Sequence, residues 1–174
     1  LVGSEMCIRD RVRVPMLIRA PGLFPAGQVL KSMVQNVDIA PTILSCAGLD
    51  KPAQMVGESY IPLLQGKEIP WRNRIFYEYY WEHEYPQTPT MHGVRTDNYK
   101  YIRYHGIWDT NEFYDLNEDP NELQNRIADP EYQDIIKQLD ADLYDWLETT
   151  NGMSIPLKRT VRPHNDHRLS LIHI

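Results

Sequence analysis

The stretch His92-Gly-Val-Arg-Thr-Asp-Asn-Tyr-Lys-Tyr-Ile-Arg-Tyr104 places two runs rich in β-branched and aromatic residues on either side of Asp97-Asn98. Asp-Asn is a favourable pair for the two-residue turn of a β-hairpin, so this stretch predicts two antiparallel strands. A similar run, Ile75 to Tyr80, precedes the hairpin, and Glu112 to Leu116 follows it as a candidate fourth strand. Together these runs predict a small antiparallel sheet.

Two proline-containing sequences after the sheet are typical of helix starts. Asp119-Pro-Asn-Glu122 places an acceptor at the N-cap, proline next and glutamate at the third helical position, a capping-box arrangement. Asp129-Pro130 is predicted to open a second, longer helix in the same way. The apolar residues of this longer helix recur at i, i+3, i+4 and i+7 and are Tyr132, Ile135, Ile136, Leu139, Leu143, Trp146 and Leu147. One face of the helix is therefore predicted to pack against the sheet.

The N-terminal half of the chain carries a different pattern. Val14-Pro-Met-Leu-Ile-Arg19 is an apolar run stopped by Pro21-Gly22, which is typical of a strand buried on both faces of a parallel sheet. Asp38 to Gly48 predicts a helix with Asp38 as its N-cap. Cys46 falls in the apolar pattern of that helix, so a small buried side chain is predicted. This half therefore predicts an α/β fold.

Composition excludes several classes of function. The chain has 174 residues and a formal net charge of −6. Phosphate contacts need clustered Lys and Arg, so no general nucleic-acid binding is expected, although a local basic patch can still bind an anionic substrate. No apolar run reaches the roughly 18 residues of a transmembrane helix, so no transmembrane segment is predicted.

Both ends of the chain lack any structural pattern. Back-translation of Leu169 to Ile174 gives a string similar to the end of a transposon-based sequencing adapter, whose reverse complement in another frame encodes Met6-Cys-Ile-Arg-Asp10. We therefore interpret residues 1–11 and 169–174 as adapter-derived and exclude them from fold reasoning. Residues 151–168 are predicted to be a polar tail.

Four segments carry a resemblance to a known family: Arg13-Val-Pro15, Val37 to Thr42, Gly57-Glu-Ser59 and Glu78 to Glu122. They resemble the C-terminal part of sulfatases, members of the alkaline-phosphatase-like superfamily, and the resemblance spans most of Val12 to Trp146.

Narrower motifs point to a substrate group within the sulfatases. Tyr79-Tyr-Trp-Glu82, Thr88-Pro-Thr90 and Tyr104-His-Gly-Ile-Trp-Asp-Thr110 are similar to enzymes acting on 6-O-sulfated N-acetylglucosamine and to heparan endosulfatases. His92-Gly93 departs from the apolar residues that are usual after Thr90 in those enzymes.

The resemblance implies an architecture in two parts. Residues 12–70 would form the edge of an alkaline-phosphatase-like α/β sheet, and residues 71–150 the C-terminal subdomain, an antiparallel sheet packed on a C-terminal helix. The apolar faces of the first part would be exposed in this chain alone, which predicts aggregation.

The resemblance also implies chemistry that this chain does not contain. Sulfatases use a formylglycine nucleophile made from Cys or Ser in a Cys/Ser-x-Pro-x-Arg motif, and a calcium ion held by Asp and Asn side chains. Both motifs precede the segment matched by Val14 to Arg19, so the chain alone is expected to be inactive. The expected substrate is a sulfated glycan, and such enzymes are commonly periplasmic, secreted or lysosomal.

His92 and Arg95 are the candidate substrate-binding residues. The imidazole of His92 could contact a sugar hydroxyl or the sulfate, or His92 could be a surface residue at a strand start. Arg95 could bind the anionic group through its fork of donors, or pair across the strands with Glu78. For His105 a structural hydrogen bond is favoured, and Trp81 could stack on a sugar or belong to the core.

Two other functions fit parts of the pattern. The same fold could hydrolyse phosphate or phosphonate esters, which related families do. A stand-alone carbohydrate-binding module would fit the antiparallel sheet, but Val14 to Arg19 and the helix after Asp38 argue for a larger α/β domain.

Overall fold

The computed structural model describes residues 14–80, 89–106 and 110–154. The chain divides into two compact units, Leu1–Arg72 and Asn73–Ile174. In the first unit a short 3-10 turn, Asn36–Asp38, leads into helix α1 (Ile39–Cys46), and helix α2 (Ile61–Leu64) follows.

The carboxylate of Asp38 holds the first unit together. Asp38 is fully buried and accepts hydrogen bonds from the backbone N–H of Gln35 at 2.8 Å and of Glu58 at 2.9 Å. Both terminal nitrogens of Arg72 also donate to it. The predicted helix is confirmed, but the N-cap role of Asp38 is wrong, because its side chain makes no capping bond to α1. The four donors from Gln35, Glu58 and Arg72 occupy the carboxylate instead.

Two further predictions for the first unit are wrong. Residues 14–19 form no strand, and Leu17 is 99 % exposed. A strand needs neighbours to pair its backbone groups, and the described part of this unit contains no other strand. Cys46 is exposed rather than buried, since the face of α1 that carries it and Ile43 is uncovered. The predicted exposure of apolar side chains in this unit is confirmed.

The second unit is built on a four-stranded antiparallel sheet in the order β1-β2-β3-β4. The strands are β1 (Arg74–Tyr79), β2 (Met91–Thr96), β3 (Tyr99–Tyr104) and β4 (Glu112–Asp115). The predicted two-residue turn at Asp97-Asn98 joins β2 to β3 and pairs Arg95 with Lys100. The antiparallel sheet, including its fourth strand, is confirmed.

Helix α3 (Gln133–Thr149), preceded by a 3-10 turn at Pro130–Tyr132, covers one face of this sheet. Strand pairing aligns Phe76, Val94, Tyr101 and Phe113 in one row beneath it. The helix contributes its buried residues to the same cluster, namely Ile136, Leu139, Leu143 and Leu147. The packing predicted from the apolar periodicity is confirmed, and the ring of Trp146 stacks on Phe76 with centroids 5.0 Å apart.

The helix predicted at Asp119 does not form; the segment is a series of turns. Glu122 has φ of 55°, a left-handed value incompatible with a right-handed helix. Its carboxylate instead accepts a 2.5 Å hydrogen bond from Lys100 Nζ, and Lys100 is 1 % exposed. A buried ammonium needs a nearby anion, so this tertiary demand overrides the local capping pattern.

No helix among the described residues is long and apolar enough to cross a membrane.

Leu143 provides a test of the sheet–helix core. It is completely buried, whereas Leu123 in the same unit is 74 % exposed. Leu143→Ala should lower the free energy of unfolding by about 2–5 kcal/mol, because it leaves a cavity between sheet and helix. Leu123→Ala, the same chemical change at the surface, should change it by less than about 0.5 kcal/mol. Urea unfolding measures both, and equal losses would contradict the packing.

Candidate functional site

His92 lies inside the molecule, next to the sheet–helix core. Its partners across the sheet are Glu78 on β1 and Arg103 on β3. Side chains alternate along a strand, so His92 shares the helix-covered face with Val94. His92 has no exposed surface, and the alternative of a surface histidine is therefore wrong. Any effect of His92 on a ligand must pass through a neighbour.

That neighbour is His105, which follows β3. Nδ1 of His92 lies 2.8 Å from Nε2 of His105, and the two rings meet edge to face with centroids 4.9 Å apart. The backbone N–H of His105 donates to the carbonyl of Thr90 at 2.9 Å, extending the pairing of the hairpin. The structural hydrogen bond predicted for His105 is confirmed.

Burial makes both histidines weaker bases. Burial, with a smaller contribution from His105, lowers the pKa of His92 from 6.5 to about 4. Burial and the nearby Arg103 guanidinium lower the pKa of His105, while Asp140 opposes that change. Both imidazoles are therefore neutral at pH 7, and one proton lies between the two facing nitrogens.

Glu78 and Tyr80 form the other side of the site. Nε2 of His92 lies 3.8 Å from Oε2 of Glu78, too far for a hydrogen bond, and it has no hydrogen-bond partner among the described residues. The Tyr80 hydroxyl donates to the same Oε2 at 2.9 Å. The rings of Tyr80 and His92 meet edge to face, with their centroids 5.6 Å apart. Burial and then the bond to Glu78 raise the pKa of Tyr80 to about 12.

Arg103 connects the site to helix α3. Its Nη1 donates to Oδ1 of Asp140 at 2.8 Å, and the Tyr101 hydroxyl donates to the same oxygen at 2.9 Å. Burial and then the Asp140 carboxylate raise the pKa of Tyr101 to about 12. The guanidinium also lies over the ring of Tyr144 at 5.1 Å. These contacts fix the end of β3 from which His105 projects.

Arg95 lies three residues along β2, on the opposite face of the sheet from His92. Its partners across the strands are Ile75 and Lys100. The alternative pairing with Glu78 is wrong, because Glu78 is paired with His92 instead. Arg95 is half-buried, and the ion pairs of the described residues give it no carboxylate partner. The structure therefore does not place His92 and Arg95 on one surface.

Gly93 allows the Tyr77 ring to lie flat across β2. A Cβ at Gly93 would lie 2.1 Å from Cζ of Tyr77, its partner across the strands. No larger residue fits this close approach unless the ring moves. The unusual His92-Gly93 pair thus has two structural causes, the histidine contact on one face and the tyrosine ring on the other.

The described residues contain no group of three or more His, Cys, Asp or Glu side chains placed to hold a metal ion. Trp81, Glu82 and His83 lie outside the described residues, so the interpretation of Trp81 as a stacking platform or a core residue stays a prediction.

Sequence reasoning missed the roles of Glu78, Tyr80 and Arg103. For Arg103 the sequence does contain a signal, namely the two-residue turn at Asp97-Asn98. That turn alone fixes the register that places Arg103 opposite His92. Counting outward from the turn also brings His105 beside Thr90, diagonal to His92.

Comparison with known proteins agrees with this architecture. The family described as "N-sulphoglucosamine sulphohydrolase, C-terminal" matches residues 5–149 of this chain. The chain belongs to this sulfatase family.

Curated relatives bear related names. An N-acetylglucosamine-6-O-sulfatase of Bacteroides thetaiotaomicron is 32 % identical over 163 residues, which are 90 % of this chain and 29 % of the relative. The human N-acetylglucosamine-6-sulfatase is 41 % identical over 81 residues, 45 % of this chain and 14 % of that protein. A multifunctional alkaline phosphatase superfamily protein of Trinickia caryophylli is 28 % identical over 94 % of this chain and 35 % of its own length. The chain thus spans only about a third of the first relatives it matches.

Solved structures share the fold. One, in complex with its substrate D-glucosamine-2-N,6-O-disulfate, has a TM-score of 0.61 and 28 % identity, covering 70 % of this chain and 25 % of that one. The phosphonate monoester hydrolase of Agrobacterium radiobacter has a TM-score of 0.60 at 24 % identity, covering 71 % and 27 %. At that identity the likeness shows the fold alone. The alkaline-phosphatase-like fold class is therefore confirmed.

The lowered pKa of His92 predicts acid-dependent stability. The unfolded histidine takes up a proton near pH 6.5, whereas the folded one resists protonation until about pH 4. The unfolded chain therefore binds more protons between these values, so stability that is complete above pH 6.5 declines as the pH falls. The contribution of His92 should decline by about 2 kcal/mol from pH 7 to pH 5.

Urea unfolding at the two pH values measures this decline. His92→Asn, which has no titrating ring, should lose correspondingly less free energy of unfolding over the same interval. An equal loss in both proteins would show that His92 does not carry the effect.

Proposed function

We propose that this chain is the substrate-selecting C-terminal region of a sulfatase that hydrolyses sulfate esters of a sulfated glycan. The family match over residues 5–149 carries the proposal. Within it, residues 12–70 would end the α/β core, and residues 71–150 would form the C-terminal subdomain that shapes the sugar pocket. The chain alone would be inactive.

The proposed substrate contains 6-O-sulfated N-acetylglucosamine. Two observations support this choice: relatives named N-acetylglucosamine-6-sulfatase reach 32 % and 41 % identity, and a structural neighbour was solved with a disulfated glucosamine as substrate. Another relative, at 31 % identity, is named Δ4,5-hexuronate-2-O-sulfatase. The relatives therefore include an enzyme named for a different sulfated sugar.

Arg95 is the proposed contact for the anionic part of the substrate. Its guanidinium is half-buried and has no carboxylate partner among the described residues. The neighbouring Lys100 is already neutralised by Glu122 at 2.5 Å. A partly desolvated guanidinium without an internal counter-ion is well suited to an external anion. His92 is the second proposed selectivity residue, acting from beneath the opposite face.

Formylglycine and calcium remain part of the proposal for the whole enzyme. Formylglycine would supply the nucleophile, and calcium would stabilise charge on the sulfate oxygens. The described residues do not fit a metal, since no group of three or more ligating side chains converges among them. Neither group is therefore assigned a residue in this chain.

Phosphate or phosphonate ester hydrolysis is the second candidate. The observation that favours it is the 28 % identity, over 94 % of this chain, to a multifunctional alkaline phosphatase superfamily protein. Direct competition between substrates separates the two activities.

The test uses the full-length protein that contains this chain. We expect it to release sulfate from 6-O-sulfated N-acetylglucosamine with a higher kcat/KM than for a phosphonate monoester. Arg95→Ala should lower kcat/KM for the sulfated sugar about ten- to hundredfold, the range expected for a lost charged hydrogen bond, and should affect a small aryl sulfate less. Arg126→Ala removes an arginine that, among the described residues, forms an ion pair with Asp129 at the surface, and it should change little. Faster turnover of the phosphonate, or equal effects of Arg95→Ala on both sulfates, would contradict the proposal.

A further inference from the structure

The buried histidine cannot contact a ligand, whereas its partner can. His92 has no exposed surface, while His105 is half-buried at the end of β3. The 2.8 Å contact between Nδ1 of His92 and Nε2 of His105 uses one nitrogen of each ring. Nδ1 of His105 is the nitrogen that this contact leaves over. It does not belong to the buried polar atoms that lack a hydrogen-bond partner in the described residues.

The surroundings of His92 decide which nitrogens carry protons. Two neutral imidazoles share one proton across the 2.8 Å contact, and each ring carries one proton in total. If His92 donated through Nδ1, its Nε2 would present a lone pair to Glu78 Oε2 at 3.8 Å, which is repulsive. If His105 donates through Nε2, then Nε2–H of His92 points toward the carboxylate, which is attractive. The second arrangement is favoured.

This arrangement gives His105 a defined chemistry. With its proton on Nε2, the ring presents an unprotonated Nδ1, which accepts hydrogen bonds and donates none. An acceptor repels the oxygens of a sulfate group but binds the O–H of a sugar hydroxyl. Arg95, on the opposite face, is the residue suited to an anion.

The geometry points to His92 as a positioning residue that fixes the tautomer and orientation of His105, so that His105 Nδ1 accepts a hydrogen bond from a ring hydroxyl of the substrate. This role rests on the proposed sulfatase function and assigns hydroxyl recognition, rather than sulfate recognition, to the histidine pair.

The neighbouring contacts hold the pair in one orientation. The Tyr80 hydroxyl donates to Glu78 Oε2 at 2.9 Å, which keeps the carboxylate beside His92. The bond from Arg103 to Asp140 at 2.8 Å ties the end of β3 to α3. A side chain that is fixed before binding loses little conformational entropy on binding, which is the benefit of placing His92 in the interior.

Substitution of each histidine by an amide residue distinguishes a role in positioning His105 from a role in packing. His105→Gln keeps a donor near the position of Nε2, and so keeps the bond to His92, but loses the Nδ1 acceptor. His92→Asn keeps an acceptor near the position of Nδ1, whereas His92→Leu fills a similar volume and offers none. Lys137→Ala, at a side chain that is 76 % exposed on α3, is the surface control.

Steady-state kinetics of the full-length protein on 6-O-sulfated N-acetylglucosamine give the first readout. KM should rise roughly three- to tenfold in His105→Gln and His92→Leu, as expected for a lost neutral hydrogen bond. kcat should change by less than about twofold, and His92→Asn should restore most of the loss seen in His92→Leu. Substrates in which one ring hydroxyl at a time is replaced by hydrogen should identify the contacted hydroxyl. With the substrate that lacks this hydroxyl, wild type and His105→Gln should have the same KM.

Nitrogen NMR of protein labelled in its histidines gives a readout that does not depend on activity. His105 should show a protonated Nε2 and an unprotonated Nδ1, and the opposite tautomer would overturn the inference. A KM unchanged in His105→Gln, or His92→Asn no better than His92→Leu, would also overturn it. If wild type cleaves no sulfated sugar, the proposed function fails together with the sugar contact, and the NMR result alone then decides whether His105 carries its proton on Nε2.

Discussion

The apolar contact between helix α3 and one face of the sheet is the constraint on which the second unit depends. Val94, Tyr101 and Phe113 can meet Leu139 and Leu143 only in one strand register. A slip by a single residue would turn each strand over and expose its apolar face. The same register places Glu78, His92 and Arg103 in the adjacent row, so the packing of the core also positions the polar groups of the candidate site.

Buried charges impose a second level of organisation. Lys100 inside the second unit requires Glu122, and Asp38 inside the first requires Arg72; removing one member of either pair would leave an uncompensated charge. Lys100 and Glu122 are separated by 22 positions in the chain, and Asp38 and Arg72 by 34. Each pair therefore fixes a segment that has no regular secondary structure. The histidine pair differs, because His92 is buried in neutral form and needs no counter-ion in order to hold the ring of His105.

The sequence predicted those elements whose signal is local. The Asp97-Asn98 turn, the strands beside it and the apolar face of α3 all follow from short-range pattern. The strand at Val14 and the helix at Asp119 were wrong for a common reason: a pattern states what a segment can form, while tertiary partners determine what it does form. Glu122 is a good capping residue but pairs with Lys100, and the Val14 run has no neighbouring strand among the described residues. The role of His92 in substrate binding stays a prediction; its burial depends on the cross-strand register, which its local sequence does not show, and His105 was predicted only to make a structural hydrogen bond.

The proposed division assigns two kinds of recognition to the two faces of one sheet: binding of an anion to Arg95, which has no carboxylate partner among the described residues, and binding of a hydroxyl to the histidine pair. The crystal structure of the full-length protein with a bound glucosamine product or unreactive sulfated analogue tests this division most directly. We predict a ring hydroxyl about 2.6–3.2 Å from Nδ1 of His105, with His92 in contact behind it. A bound sugar whose sulfate, rather than a hydroxyl, contacts His105, or whose atoms lie remote from both histidines, would contradict it.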